Sequence, residues 1–318
     1  MKLSAIRPIA LVLLREIVIT MLLLVGVSFV VFIILYLSPG DPFSVLLEGQ
    51  GLSAEAVGGA REAIEALRAW YAQYLSWLAN MLRGDFGASI RTGLPVAGEL
   101  LRVGLNTLLL TMGSLIVTLG LAIPIALYSS VRGGGWFTWL ATISAYIVSA
   151  LPVFWLGYAV IYVFMHRFGL FPIFSGVGQR YGWLYTLLPI LVLGIGNGTI
   201  SEVIRYLRDE MGRVMAEDYI RTAKAKGASV WRHSFKEGLL IPVTEIIASK
   251  IPFILGGAVI VEQVFNWPGM GRMAWQAAQD RDYPVIMGIA ILAAVFVRLG
   301  SMFHKVVYVF VNPRASKE

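Results

Sequence analysis

Cysteine is absent, so the chain has no disulfide framework, no thiolate metal ligand and no cysteine for a lipid anchor. Histidine occurs only at His166, His233 and His304, far apart and without metal-site spacing, so no metal is expected. Charge is scarce too: Asp, Glu, Lys and Arg make up 14% of the residues, against about a quarter in a soluble globular chain. No G-x-x-x-x-G-K-[ST] run occurs, which removes the Walker A phosphate cradle and with it any ATPase activity of the chain's own. No Ser-His-Asp, H-E-x-x-H or paired-carboxylate set stands out, so the residues do not describe an enzyme.

Apolar residues fill the space that these leave. The hydrophobic fraction is 58% and the mean hydropathy +0.74, the composition of an all-α polytopic membrane protein. A net charge of +7 would suggest nucleic acid in a soluble chain. Here the cations gather in loops, as topology rules require, and no nucleic-acid partner is expected.

Six spans can be placed along the chain. Residues 1–16 form a basic N-terminus and 17–37 the first span, since about 20 residues at 1.5 Å each cross a hydrocarbon core of about 30 Å. The run Ser38-Pro39-Gly40-Asp41-Pro42 ends that span, because proline removes donors and the residue before it avoids helix. Residues 38–104 form a long hydrophilic loop. Within it, Glu55–Leu82 carries helical periodicity with many aromatics, fitting either helices on the membrane surface or a cap packed on the spans.

The remaining spans fall at Leu108–Tyr128, Phe137–Phe164 with a proline kink at Pro152, Tyr185–Ile204, Leu239–Ile260 and Pro284–Phe310. Together with a basic loop at 205–238 they make up a core over 105–310, followed by a short polar tail at 311–318. An even number of spans puts both termini on one side. Lys2, Arg7, Arg15, Arg132, Lys305, Arg314 and the cations of the basic loop share that side, which the positive-inside rule makes cytoplasmic. The opposite loop offsets its arginines with Asp41, Glu48, Glu55, Glu62, Glu65, Asp85 and Glu99.

Within the basic loop, Glu217–Ala228 is small, charged and helix-prone up to Gly227, a helix stop by its readiness for the left-handed conformation. Ala223, Ala225, Gly227 and Ala228 have almost no side chain, so another backbone can approach closely; the plain alternative is a solvated loop helix. Charged residues inside apolar sequence are costly and often line a path, which singles out Glu202, Lys250 and Arg298. The plain alternative pairs Glu202 with Arg205 and lets Lys250 snorkel.

In order, the chain carries Leu37-Ser38-Pro39-Gly40-Asp41-Pro42, Arg83-Gly84-Asp85-Phe86-Gly87, Asn106-Thr107, Leu151-Pro152-Val153-Phe154-Trp155-Leu156-Gly157, Asp218-Tyr219-Ile220-Arg221-Thr222-Ala223-Lys224-Ala225-Lys226-Gly227, Glu262-Gln263-Val264-Phe265-Asn266-Trp267-Pro268-Gly269 and Arg281-Asp282-Tyr283-Pro284. This series resembles the permease subunits of the dipeptide, oligopeptide and nickel ABC importers, and among them the first of the two paired permeases. The resemblance implies a type I ABC importer permease fold in a bacterial or archaeal cytoplasmic (inner) membrane. It also implies a second homologous permease, two ABC ATPase subunits that bind ATP and Mg, an extracytoplasmic substrate-binding protein, and lipid around the whole.

In that family a cytoplasmic loop helix docks in a groove of the ATPase. The resemblance puts Arg221, Thr222, Ala223 and Gly227 on its Glu, Ala, Ala and Gly positions, with Asp218, Tyr219 and Lys224 alongside. Set against the resembled family, the stretch between Gly227 and Pro242 is expected to be shorter by about one helical turn. The substrate path is expected on the central spans, with Asn106, Thr107, Ser149, Asn197, Thr199 and Glu202 as polar candidates. Peptides, oligosaccharides and nickel all occur as cargo in the wider family; the lack of clustered His or Cys argues mildly against a metal-binding pore. An ATP-independent secondary transporter or channel is the alternative; it calls for ionisable relays and inverted repeats, and neither is evident.

Overall fold

The structure is a computed structural model, and it describes residues 6–38, 70–132, 135–169, 182–196 and 198–311. Among the described residues the chain forms twelve α-helices, and its only extended pairing is an isolated antiparallel bridge between Ala88 and Pro95. Three helices are long and apolar enough to cross a membrane, and three bent pairs raise the number of spans to as many as six if each pair counts as one. The loop residues Asp41, Glu48, Glu55, Glu62 and Glu65, residues 170–181 and the tail from 312 lie outside the described residues, as does Asn197.

Two compact units are present. One draws on Val18–Asn106 and Pro268–Val295. It contains most of the first span helix, α1 (Ile6–Leu37), and α2 (Trp70–Met81). Tyr74 anchors α2: it is buried, its hydroxyl donates to the Val25 carbonyl at 3.1 Å and meets Ser28 Oγ at 2.9 Å, and its ring packs on Phe29 and Phe32. The described part of the periodic stretch is thus helical and packs on α1.

The same unit holds a loop pinned by a single carboxylate. Asp282 accepts from Ser89 Oγ at 2.5 Å and from the backbone N–H groups of Ile90 and Arg91 at 3.1 and 3.3 Å. Its own carbonyl opens α12 (Tyr283–Val311) by accepting from Ile286. Before it, α11 (Met270–Gln279) runs under the cleft that the loop borders.

The second unit draws on Met1–Ile17, Thr107–Trp267 and Phe296–Glu318. From Thr107 onward it includes α3 (Val96–Arg132), a helix that begins well before the Leu108 expected from hydropathy. Glu99 and Arg102 hid those early turns; they form an i,i+3 ion pair at 2.7 Å on an already helical segment. Further along α3, Thr107, Thr111, Ser114 and Thr118 line one buried face. Thr107, Ser114 and Thr118 donate to groups within the protein, as hydroxyls in an apolar surround must.

The third expected span is not one kinked helix. α4 (Trp136–Ala150) and α5 (Val153–Phe168) meet at 99°. Leu151, the residue before Pro152, sits at φ −78°, ψ 133°, the extended backbone that a following proline enforces, so the corner is a full break. The fourth span is also divided, into α6 (Gly182–Ile195) and α7 (Thr199–Ala216). Gly196 and Gly198 flank that break, and Gly198 takes φ +75°, which a residue with Cβ adopts only under strain. Beyond α7 lie α8 (Asp218–Ala225), α9 (Val230–Phe235), a π-helical turn at Lys236–Leu240 and α10 (Ile241–Val264).

The core of this unit joins α3, α5, α6 and α10 around Leu110, Leu193, Val261 and Phe265, and joins α3, α7 and α10 around Ala122, Ile204, Leu207 and Ile246. Gly194 lets α6 close on α3: a Cβ there would stand 2.7 Å from the Ser114 carbonyl. Thr118 seals the crossing by donating to the Gly194 carbonyl at 2.7 Å.

Candidate functional site

Two features of the second unit stand out. The first is α8, which follows α7 after the extended Glu217 and is held by both its neighbours, α7 and α9. Only Ile220 and Ala223, one helical turn apart, point inward, and both are buried. Asp218, Tyr219, Arg221, Thr222, Lys224, Ala225, Lys226 and Gly227 are exposed. Short amphipathic helices of this kind derive their stability from the packed face rather than from propensity.

Local hydrogen bonds finish the helix. Thr222 Oγ1 donates to the Asp218 carbonyl at 2.9 Å, and Arg221 pairs with Asp218 at 3.3 Å in full view of solvent. At the C-terminus the Ala228 N–H reaches the Ala223 carbonyl at 2.9 Å and the Gly227 N–H the Lys224 carbonyl at 3.1 Å. With Gly227 at φ +67° this is a Schellman motif, which leaves a blunt, fixed end to the helix. The geometry therefore splits the candidate docking residues: Ala223 fixes the helix from beneath, and the other six face outward.

The second feature is a polar cleft between α7 and α10 with a volume of about 310 Å³. Glu202 on α7 is bridged there to Lys250 on α10. The expected partner was Arg205, or solvent for Lys250; the fold instead turns both toward each other. Tyr206 donates to Glu245 Oε2 at 2.5 Å, and Arg205, Asp209 and Ser249 complete the polar lining. Glu245 and Tyr206 were missed in the sequence, although an acidic residue five positions before Lys250 in an apolar span was a signal.

The other path candidates are scattered. Thr107 is buried and donates to Glu262 Oε1 at 2.6 Å, bracing α3 on α10. Asn106, in the other unit, donates through Nδ2 to the Pro268 carbonyl at 2.8 Å. Ser149 Oγ and Thr199 Oγ1 are enclosed without a hydrogen-bond partner. Arg298, the remaining charge in apolar sequence, pairs with Glu16 at 2.6 Å, and Lys305 takes the other oxygen of that carboxylate at 2.6 Å.

Residues 122–317 match the family described as binding-protein-dependent transport system inner membrane component. The chain is 37% identical over 308 residues to the oligopeptide transport system permease protein AppB of Bacillus subtilis (strain 168), covering 92% of this chain and 95% of that protein. It is 29% identical to the dipeptide transport system permease protein DppB of Alkalihalophilus pseudofirmus, over 94% of this chain and 97% of the relative. With the glutathione transport system permease protein GsiC of Escherichia coli (strain K12) it shares 33% identity over 90% and 92% of the two chains.

Proposed function

Since the chain belongs to the binding-protein-dependent transport system inner membrane components and is a non-catalytic ABC transporter permease subunit, we propose that it imports short peptides and that α8 is the point where ATP hydrolysis on a partner is coupled to movement of the spans. Relatives named for oligopeptides, dipeptides and glutathione support peptide cargo. The observation that carries the coupling role is the build of α8: two small or apolar residues fasten it to α7 and α9, while Asp218, Tyr219, Arg221, Thr222, Lys224 and Gly227 face outward. An exposed face of this kind, rimmed by charge and ending bluntly, fits a groove on another subunit and fixes its register.

The proposed assembly contains this chain, a second homologous permease and two ATPases holding ATP and Mg on the cytoplasmic side, with a binding protein delivering peptide from outside. The basic loop 205–238 lies with both termini in the cytoplasm, and Asn106, Thr107, Ser149, Asn197 and Glu202 lie on or beside the path. When ATP draws the ATPases together, α8 moves with them and carries α7, to which it is joined through the single residue Glu217.

Docking is tested with Arg221→Glu and Lys224→Glu, both on the exposed face of α8, in the reconstituted assembly. Both are expected to cut peptide uptake at least tenfold while the permease pair stays intact, and to lower ATPase recovery on affinity purification of this chain. Unchanged coupled uptake in both variants sinks the docking role. Ala223→Glu is unsuited to this test, because Ala223 is buried and a carboxylate there would unseat the helix.

A further inference from the structure

The cleft between α7 and α10 places charges where lipid cannot solvate them. Glu245 and Lys250 lie on α10 within the apolar run Leu239–Ile260. Glu202, Arg205, Tyr206 and Asp209 recur on α7 at the spacing of one helical face, and Glu245, Ser249 and Lys250 do the same on α10. Glu202, Arg205, Asp209, Glu245 and Ser249 are exposed on the chain. At hydrocarbon depth an exposed carboxylate or ammonium is costly, so this face turns toward water or protein rather than acyl chains.

Its chemistry is specific. The cleft pairs three carboxylates with two cations, and its volume of about 310 Å³ falls at the lower end of small-ligand pockets, which begin at about 300 Å³. Lys250 is the more enclosed half of its ion pair, with 19% of its side chain exposed against 46% for Glu202. A carboxylate arriving from the path can therefore take the place of Glu202 on Lys250 with little desolvation of new groups. Glu245, held by the Tyr206 hydroxyl through one oxygen and exposed in the cleft lining, offers an acceptor for an ammonium.

Resting on the peptide-import reading above, we infer that this cleft is a station of the translocation path that holds the two termini of a short zwitterionic peptide: Lys250 binds the terminal carboxylate in exchange for Glu202, and Glu245 binds the terminal ammonium. The Glu202–Lys250 bridge closes the station when it is empty and opens when peptide enters. Charge-assisted contacts at both ends make the station indifferent to side chains, as a path for varied sequences must be.

The test uses the complete assembly of both permeases and both ATPases in lipid nanodiscs without binding protein, titrated by NMR saturation transfer with dialanine, its C-terminal amide and its N-acetyl form. Lys250→Gln is expected to weaken dialanine binding about tenfold, the loss of one charge-assisted contact, and to leave the amide unchanged. Glu202→Gln is expected to tighten dialanine, because it removes the competitor for Lys250. Glu245→Gln weakens dialanine but not the N-acetyl form. If Lys250→Gln and Glu202→Gln act in the same direction, or if acid and amide respond alike, the pair is only a helix staple and the inference fails. ATP-driven uptake by the unmodified assembly with its binding protein is measured in parallel. Its absence overturns the importer reading itself, whereas its presence with indifferent variants overturns only the station.

Discussion

Glu16 is 3% exposed, and each of its carboxylate oxygens receives one cation, Arg298 and Lys305, at 2.6 Å. Removing one partner of a buried pair strands charge in an apolar surround, which costs about 3–5 kcal/mol. Glu16→Ala is therefore expected to destabilise the detergent-solubilised protein by that amount in thermal unfolding, and Glu16→Ala with Arg298→Leu to recover part of the loss. A double variant no more stable than the single one would refute the pairing. At this scale the sequence was half legible. Arg298 stood out as a charge in apolar sequence, but its partner lies 282 positions away and reads as part of a basic terminal segment. Glu202 and Lys250 were visible individually and not as a pair, since a bond across 48 positions leaves no local trace. Side-chain type can be read along a chain; who faces whom is decided by how helices cross.

Between elements, close approach rests on glycine. At the α3–α6 crossing a Cβ on Gly194 would meet the Ser114 carbonyl at 2.7 Å, and a main-chain oxygen cannot swing aside as a side chain can. Gly194→Ala is expected to cost about 1–3 kcal/mol through overpacking, read as a lowered unfolding midpoint. Gly256→Ala, on α10 where a Cβ meets nothing within 4 Å, serves as the neutral comparison. Equal shifts for the two would show that loss of glycine, rather than the clash, is responsible. Apolar length and the Gly and Pro punctuation made the helices themselves legible. The angle at each break was not: Pro152 signalled an interruption, yet a kink and a 99° corner begin from the same residue. What separates them is the packing of α5 against α10, where Gly157 admits Val264 and Phe265.

At the level of the whole chain, the unspent surface is informative. α8 presents a charged face, and the α7–α10 cleft presents three carboxylates and two cations. Co-production with the paired permease and the ATPases is accordingly expected to raise the monodisperse fraction on size exclusion severalfold over the chain alone. An equally well-behaved solitary chain would count against obligate partners. The family was readable from motifs spread over the full length, and those motifs also singled out the helix proposed for coupling, whereas the polar cleft emerged only once α7 and α10 were side by side.

The Asp282 carboxylate has a consequence in time as well as in space. It grips Ser89, a residue synthesised 193 positions earlier. A ribosome releasing the chain in order therefore inserts most of the spans before the loop at 89–91 can be fastened, and Glu16 waits still longer for Arg298. Asp282 and the helix that follows it supply the partners of Ser89 and Glu16, so a nascent chain cut short before Asp282 holds both early segments without these bonds.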